Sequence, residues 1–192
     1  MNEFRLTKQG LWDILEAWDP YLPRKVRVVA CGGTALALQD MKKATKDVDF
    51  LVPDQEEHKT LLSTIQKLGY RQVTGSGWAR DGGFVFDLFR GKVVFQTELL
   101  DSPLDEGMHI PIRAFKKLSV AALNDLDLVI TKMFRGSDVD IDDCLRLIRT
   151  RGKDFDLEKL KERYKETALY DLNPDRMMKN LDYLLAGLKD RE

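Results

Sequence analysis

The stretch that decides the fold runs from Val28 to Leu38, VVACGGTALAL, and is followed by Thr45 to Val52, TKDVDFLV. The first part is a short apolar run that stops at the glycine pair Gly32-Gly33 and continues into residues that favour a helix. It predicts a buried strand that turns directly into a short helix. The second part predicts another strand, because an apolar run follows its charged beginning.

Two carboxylates, Asp47 and Asp49, lie one residue apart at the start of the second predicted strand. Their side chains point to the same face, because side chains alternate along a strand. Two like charges at this distance repel each other, and a divalent cation between them removes the repulsion. Carboxylate oxygens are ligands that Mg²⁺ prefers, so this spacing predicts a site for Mg²⁺ or Mn²⁺. The alternative is a pair of solvated carboxylates on the surface.

The glycine pair and the helix after it predict an anion site. Glycine lets a backbone turn tightly and approach a ligand closely, and the first amides of a helix are unpaired and carry partial positive charge. A phosphate-binding turn next to metal carboxylates describes a place for a nucleoside triphosphate (NTP). The predicted phosphate contacts are Gly32, Gly33 and Thr34. The alternative is a plain tight turn in which Thr34 only begins the helix.

Three lysines, Lys42, Lys43 and Lys46, lie around the loop between these two segments. Lysines in a loop are usually solvated, but their position beside the predicted phosphates makes them candidate secondary contacts. Lys46, which directly precedes Asp47, is included among the predicted nucleotide-binding residues.

These residues resemble the nucleotidyltransferase superfamily typified by DNA polymerase beta and by the minimal and kanamycin nucleotidyltransferases. The family signature is a strand ending in Gly-Gly or Gly-Ser, a spacer helix, Asp-x-Asp on a strand, and a third carboxylate on a later strand. Gly32-Gly33 and Asp47-Val48-Asp49 match its first two parts. The segments GGTALAL and TKDVD are most similar to those of the bacterial branch that contains the abortive-infection type IV toxins. The resemblance implies an α+β fold, with a mixed sheet flanked by helices and followed by a C-terminal helical bundle.

The third carboxylate is assigned to Asp87, the only charge within the apolar run Phe84–Phe89, FVFDLF. Burial of a carboxylate without a partner costs several kcal/mol, which favours a role as metal ligand. In the family, the equivalent carboxylate commonly also acts as base toward the acceptor hydroxyl. The alternative is an edge-strand carboxylate paired with Arg80 or Arg90. Two other acids compete for the same role, Glu98 and Asp101.

A second part of the resemblance lies in Leu128–Gly136, LVITKMFRG, and in the acidic segment DIDD that begins at Asp140. These segments are similar to the lysine motif and the later acidic motif of the toxin branch. The resemblance implies that Lys132 neutralises the triphosphate as charge develops in the transition state. Arg135, three residues later, is predicted as a further nucleotide contact.

The acidic segment would orient the lysine through Asp140 or Asp143. This chain departs from the family here, because it has Val139-Asp140 where a Lys-Asp pair is more usual. The alternative is that Lys132 and Arg135 form the solvated side of an amphipathic helix, which is the usual position of charges at this spacing.

The order of predicted elements divides the chain into two parts. Helices and strands are mixed in the first part, which includes a predicted strand over Val93–Leu100. Only helices are predicted in the second part, with starts at Asn124, near Asp140, after Asp156 and at Asn173-Pro174. Such segregation predicts a catalytic α/β domain over residues 1–115 and a C-terminal helical domain over residues 116–192, packed against it.

The composition is that of an ordinary globular protein, with 192 residues, 43% of them hydrophobic and 33% charged. A net charge of −1 argues against nucleic-acid binding by bulk positive charge. Two cysteines are too few for a disulfide framework, which favours a reduced, cytoplasmic setting. No stretch approaches the roughly 18 continuous apolar residues of a membrane span, and the two histidines lack the spacing of a zinc site.

The sequence thus predicts an Mg²⁺-dependent nucleotidyltransferase that moves a nucleoside monophosphate from an NTP to an acceptor hydroxyl. The resemblance to the toxin branch suggests an RNA end such as that of tRNA, or a protein hydroxyl, as acceptor, and a cognate toxin or antitoxin as partner. The kanamycin enzymes suggest a small molecule. The rival hypothesis is a non-catalytic module of the same fold that binds a nucleotide or a partner protein.

Overall fold

The computed structural model describes residues 5–189, so the ends of both predicted domains, residues 1–4 and 190–192, lie outside it. The strands are β1 Leu6–Thr7, β2 Val26–Ala30, β3 Ala44–Thr45, β4 Val48–Val52, β5 Arg71–Gln72, β6 Gly77–Ala79, β7 Phe86–Arg90, β8 Val93–Val94, β9 Thr97–Glu98, β10 His109–Ala114 and β11 Leu118–Leu123. The α-helices are α1 Lys8–Trp18, α2 Gly32–Leu38, α3 Gln55–Lys67, α4 Asp125–Arg135, α5 Asp138–Arg151, α6 Leu157–Ala168 and α7 Pro174–Lys189. None of these helices combines the length and the apolar character that crossing a bilayer would require.

A seven-stranded mixed sheet in the order β10-β11-β2-β4-β7-β6-β5 lies at the centre of the fold. β2 and β4 are antiparallel, whereas β4 and β7 are parallel. All five residues of β4 are buried, which explains why its sequence, VDFLV, carries a single charge. Asp49 of β4 is paired in register with Asp87 of β7, so both carboxylates leave the sheet on the same face.

Strand β11 lies inside the sheet, between β10 and β2, and is not predicted by the sequence pattern. Its inward side chains, Leu118, Val120 and Ala122, are buried and alternate with half-buried residues. The expectation of helices alone after residue 116 is therefore wrong for this strand, and the all-helical part begins at Asp125. The predicted domain boundary at residues 115 and 116 falls within the β10–β11 hairpin.

The predicted strand over Val93–Leu100 is instead a hairpin of the two short strands β8 and β9. The chain reverses at Phe95, whose φ of +54° is a left-handed conformation uncommon for a bulky residue. The Phe95 ring is held between Phe89, with ring centroids 4.9 Å apart, and the guanidinium of Arg135, 4.2 Å from its centroid. Packing on both sides thus fixes this turn.

Helix α4 joins the sheet to the helical part. It contacts α2 on the side of the sheet and α5, α6 and α7 in the helical part. The helix begins and ends at the predicted residues. The Asn124 side chain accepts a hydrogen bond from the amide of Asp127, and Gly136 ends the helix with a left-handed backbone conformation. Its residues from Asp127 to Phe134 are buried, and the apolar ones among them belong to a hydrophobic cluster shared with the sheet. Lys132 is therefore carried at a fixed position relative to β4 and β7.

Candidate active site

The turn after β2 positions Asp49. The hydroxyl of Thr34 accepts a hydrogen bond from the amide of Asp49 (2.9 Å) and donates one to the carbonyl of Asp47 (3.3 Å). Gly32 has a φ of +54°, and a Cβ atom on it would lie 2.4 Å from Oδ2 of Asp49. The Asp49 carboxylate is therefore packed directly against the glycine turn, at a place that only glycine can occupy.

These contacts give two of the predicted phosphate contacts, Gly32 and Thr34, a role within the protein. Thr34 is fully buried and its hydroxyl is used within the protein, so it positions Asp47 and Asp49. Gly32 is buried against Asp49 and makes room for that carboxylate. Of the three predicted residues of the turn, only Gly33 lines the cavity described next.

A cavity of about 320 Å³ gathers most of the predicted site residues. An acidic group and a basic group of side chains share its lining. The acidic group consists of Asp47, Asp49 and Asp87. The basic group consists of the cations Lys42, Lys132 and Arg135 and of the two carboxylates that these cations contact, Asp140 and Asp143. The remaining lining residues are Arg5, Gly33, Ala44, Thr45, Lys46, Phe95, Ser137 and Val139.

The three carboxylates of the acidic group differ in their exposure to solvent. Asp49 is buried, Asp87 is half-buried and Asp47 is exposed. Burial raises the pKa of Asp49 to about 7, with Asp87 and Asp47 adding to the rise and the nearby cations Arg135 and Lys132 opposing it. Over residues 5–189, no three acidic, histidine or cysteine side chains are arranged so that they could hold a metal ion.

A pair between Asp87 and Arg80, one of the alternatives, does not match the structure. Its carboxylate accepts a hydrogen bond from the hydroxyl of Ser76 (2.6 Å), whereas Arg80 is placed beside Asp81. The competing acids Glu98 and Asp101 do not line the cavity, and Asp101 pairs with Arg163 at 2.7 Å. Asp87 is thus the carboxylate that the sheet places beside Asp49.

Lys132 does not lie on a solvated helix face. It is 2% exposed, and its ammonium contacts Oδ1 of Asp140 at 3.1 Å and Oδ2 of Asp143 at 2.8 Å. The alternative of a solvated Lys132 is therefore wrong. Arg135 is more exposed and holds Asp140 through two hydrogen bonds, of 2.8 and 2.5 Å. Both predicted orienting carboxylates contact Lys132.

Asp140 is the central acceptor of the basic group and has no exposed surface. Besides Lys132 and Arg135, the hydroxyl of Ser137 donates to it at 2.7 Å. Desolvation raises the pKa of this carboxyl, but the hydrogen bonds from Arg135 and Ser137 and the charge of Lys132 outweigh it and hold the pKa below its usual range. Asp140 is therefore ionised, and it fixes both cations beside the cavity.

Several residues of the site were not predicted, and three of them make contacts that matter for its geometry. Ser76 donates to Asp87, Ser137 donates to Asp140, and Phe95 contributes its ring to the cavity lining. Ser137 caps α5 and follows the helix-ending Gly136, so the rule for helix starts could have found it. No local signal marks Ser76 or Phe95, because both depend on the pairing of distant segments.

Comparison with known proteins identifies the family. Residues 11–191 match the model of a family described as "Nucleotidyltransferase of unknown function (DUF6036)". No curated protein is significantly similar to the chain in sequence.

Solved structures confirm the predicted nucleotidyltransferase-like α+β fold. ANT(2″)-Ia in complex with adenylyl-2″-tobramycin has a TM-score of 0.55 and 14% identity, over 83% of this chain and 95% of that chain. A solution structure of ANT(2″)-Ia has a TM-score of 0.53 and 15% identity, over 80% and 86%. The lincomycin-bound lincosamide antibiotic adenylyltransferase LnuA has a TM-score of 0.50 and 12% identity, over 75% and 98%. At these identities, the likeness shows the fold alone.

Proposed function

This chain belongs to that family of nucleotidyltransferases, and from this premise we propose that it transfers a nucleoside monophosphate from an NTP to an acceptor hydroxyl in an Mg²⁺-dependent reaction. One observation carries the proposal: a single cavity brings the acidic group of three aspartates together with the buried Lys132 and with Arg135. Phosphoryl transfer depends mostly on positioning and on electrostatic stabilisation, and this arrangement provides both.

The acidic group fits a divalent cation by its chemistry. Asp47, Asp49 and Asp87 do not form a ready-made metal site as they lie in the structure, but all three offer hard carboxylate oxygens to the same cavity and would turn toward a bound Mg²⁺ or Mn²⁺ to hold it. The repulsion that contributes to the raised pKa of Asp49 is the kind that a bound cation removes. When bound, the cation would supply charge neutralisation to the phosphates and activation of the acceptor hydroxyl.

The other residues act around the reacting phosphorus. The acceptor oxygen forms a bond to the α-phosphorus, the bond to the bridging oxygen of the β-phosphate breaks, and pyrophosphate leaves. Asp87 takes the proton of the acceptor hydroxyl, and Ser76 keeps its carboxylate oriented. Lys132 and Arg135 stabilise the negative charge that develops on the leaving group, while Gly33 and Lys46 line the path of the phosphates.

The acceptor is the open part of the proposal. An RNA end, a protein side chain and a small molecule are the three candidate acceptors, and a toxin–antitoxin role would involve one of the first two. The neighbouring structures contain adenylyl-2″-tobramycin and lincomycin, so hydroxylated small molecules belong in the test beside RNA and protein.

The experiment is incubation with each of the four α-labelled NTPs and Mg²⁺, in the presence of total RNA, protein or small-molecule fractions. We expect one fraction to become labelled with wild-type protein and no fraction with Asp49→Asn. The melting temperature of this variant should stay nearly unchanged, because burial already disfavours the charged form of Asp49. Asp182→Asn, at an exposed position on α7, is the matched control and should retain full activity.

Two outcomes would contradict the proposal. Full incorporation by Asp49→Asn would remove the metal role from this residue. Binding of NTP by the wild-type protein without label in any fraction would favour the rival hypothesis, a non-catalytic nucleotide-binding module of the same fold.

A further inference from the structure

Lys42 places a second ammonium group next to Lys132, and the proposed mechanism does not use it. Its Nζ contacts Oδ2 of Asp143 at 2.7 Å, and Nζ of Lys132 contacts the same oxygen at 2.8 Å. Two like charges thus lie side by side on one carboxylate oxygen, although 90 residues of sequence separate them. Lys42 comes from the loop after α2 and Lys132 from α4, so both parts of the chain contribute to the pair.

Within the basic group cations outnumber carboxylates, whereas the cavity lining as a whole has five basic and five acidic side chains. Lys42, Lys132 and Arg135 are three cations, whereas Asp140 and Asp143 are two carboxylates. Lys132 and Arg135 both contact Asp140, so Asp143 alone is shared between the two lysines. An anion with several oxygens, such as a phosphate group, could contact both ammonium groups and relieve their repulsion.

Hydrogen bonds to backbone groups fix the loop after α2, and none of those described next involves the Lys42 side chain. The amides of Met41 and Lys42 both donate to the carbonyl of Leu36, at 2.9 and 3.2 Å. The guanidinium of Arg146 donates to the carbonyl of Met41 at 3.3 Å. The Lys42 side chain is also 24% exposed, against 3% for Lys132, so it has room to move while the loop stays in place.

We propose that Lys42 is a substrate-binding residue, which moves from Asp143 to the polyphosphate of the bound nucleotide while Lys132 keeps its two carboxylate partners. The α-phosphate must lie at the acidic group for the reaction to occur. Lys42 therefore contacts the part of the polyphosphate that follows the α-phosphate. Lys42 thus increases the affinity for a triphosphate more than the affinity for a single phosphate, which cannot reach Lys42 and the acidic group at the same time. This inference rests on the proposed function.

The test compares Lys42→Met with Lys43→Met, because the neighbouring Lys43 is exposed and does not line the cavity. Isothermal titration with inorganic tripolyphosphate and Mg²⁺ measures the contact without any assumption about the base, and inorganic phosphate serves as the low-charge reference. We expect Lys42→Met to weaken tripolyphosphate binding by about tenfold or more, the effect of one charge-assisted hydrogen bond. Lys43→Met should stay within about twofold of the wild type, and Lys42→Arg should restore most of the affinity.

Each outcome separates the two proposals. If the wild-type protein binds tripolyphosphate and incorporates label, but Lys42→Met binds as tightly as the wild type, the inference on Lys42 is wrong and the proposed function stands. An equal loss in Lys43→Met would reduce the effect to general surface charge and would also overturn the inference. If the wild-type protein binds neither tripolyphosphate nor any NTP, both proposals fail. Unchanged circular dichroism of each variant excludes misfolding as the cause of a loss.

Discussion

Replacement of Gly32 by alanine tests the packing of Asp49 against the glycine turn. Gly32 has a φ of +54°, and the new Cβ would lie 2.4 Å from Oδ2 of Asp49, a distance that forces one of the two groups to move. Since the hydroxyl of Thr34 holds the backbone of Asp49, we expect the Asp49 side chain to be displaced. The variant should therefore lose both stability and nucleotidyl transfer.

The size of the effect follows from two contributions. A left-handed conformation costs an L-residue about 1–2 kcal/mol. Overpacking of a well-packed site costs typically about 1–3 kcal/mol more. Gly82→Ala provides a control for the first contribution alone, because Gly82 has a φ of +67° and nothing lies within 4 Å of its added Cβ. We expect a loss of about 1–2 kcal/mol for Gly82→Ala and roughly 2–5 kcal/mol for Gly32→Ala.

The assay is urea unfolding followed by circular dichroism, with label incorporation measured in parallel. With an m-value of about 2 kcal/mol/M, the midpoint of Gly32→Ala should lie roughly 0.5–1.5 M below that of Gly82→Ala. Incorporation should fall only in Gly32→Ala. If the two variants have the same midpoint and the same activity, the carboxylate is not packed against the turn as described, and the account of how Asp49 is positioned is refuted.

Asp140→Asn should lower the free energy of unfolding, measured with urea, by about 3–5 kcal/mol, because it leaves Lys132 and Arg135 without their shared charged partner. Asp142→Asn, on the exposed side of α5, is the control and should change this free energy by no more than about 0.5 kcal/mol. The pKa of Asp140 is lower in the folded protein than the unfolded value of about 3.9, so its stabilisation is present above about pH 4 and is lost as the pH falls further. Thermal melts between pH 6 and pH 3 should therefore show a larger loss in the wild type than in Asp140→Asn, and equal losses would contradict this reasoning. Thr34→Val should cost about 1–3 kcal/mol by leaving the Asp49 amide unpaired, and an unchanged unfolding midpoint would argue against this role of the hydroxyl. Mg²⁺ should raise the melting temperature of the wild type but not of Asp49→Asn, with a gain of about 2.7 kcal/mol at 100 times Kd, and an equal rise in both would remove Asp49 from the metal site.

The sequence was sufficient to predict the elements whose ends depend on neighbouring residues in the chain. The apolar run before Gly32-Gly33, the capping residue Asn124 and the helix-ending Gly136 each act on their immediate neighbours, and the structure has the predicted elements there. The family resemblance supplied the fold class, which the solved structures confirm. Asp87 was chosen because a lone charge in an apolar strand needs a partner. The structure places it beside Asp49, and its role as a metal ligand stays a prediction.

What the sequence could not predict depends on contacts between distant segments. The pairing of β11 with β2 joins residues about 90 positions apart, and the apolar content of LSVAAL fits a buried helix segment as well as a strand. The positioning roles of Gly32 and Thr34 require the register of β4 beside the turn. The contact of Lys42 with Asp143 spans 101 positions, so no spacing rule distinguishes Lys42 from Lys43.

The position of β11 sets a lower limit on the length of an N-terminal fragment that keeps the centre of the sheet intact. A fragment that stops at residue 115 would keep β2 but lose the strand that covers its outer edge. The apolar residues of β2 would then form an open edge with unpaired amides and carbonyls, the kind of edge that pairs with other molecules and aggregates. We therefore expect the shortest soluble fragment with an intact sheet centre to extend at least through Leu123, and it would still lack the lysine of α4.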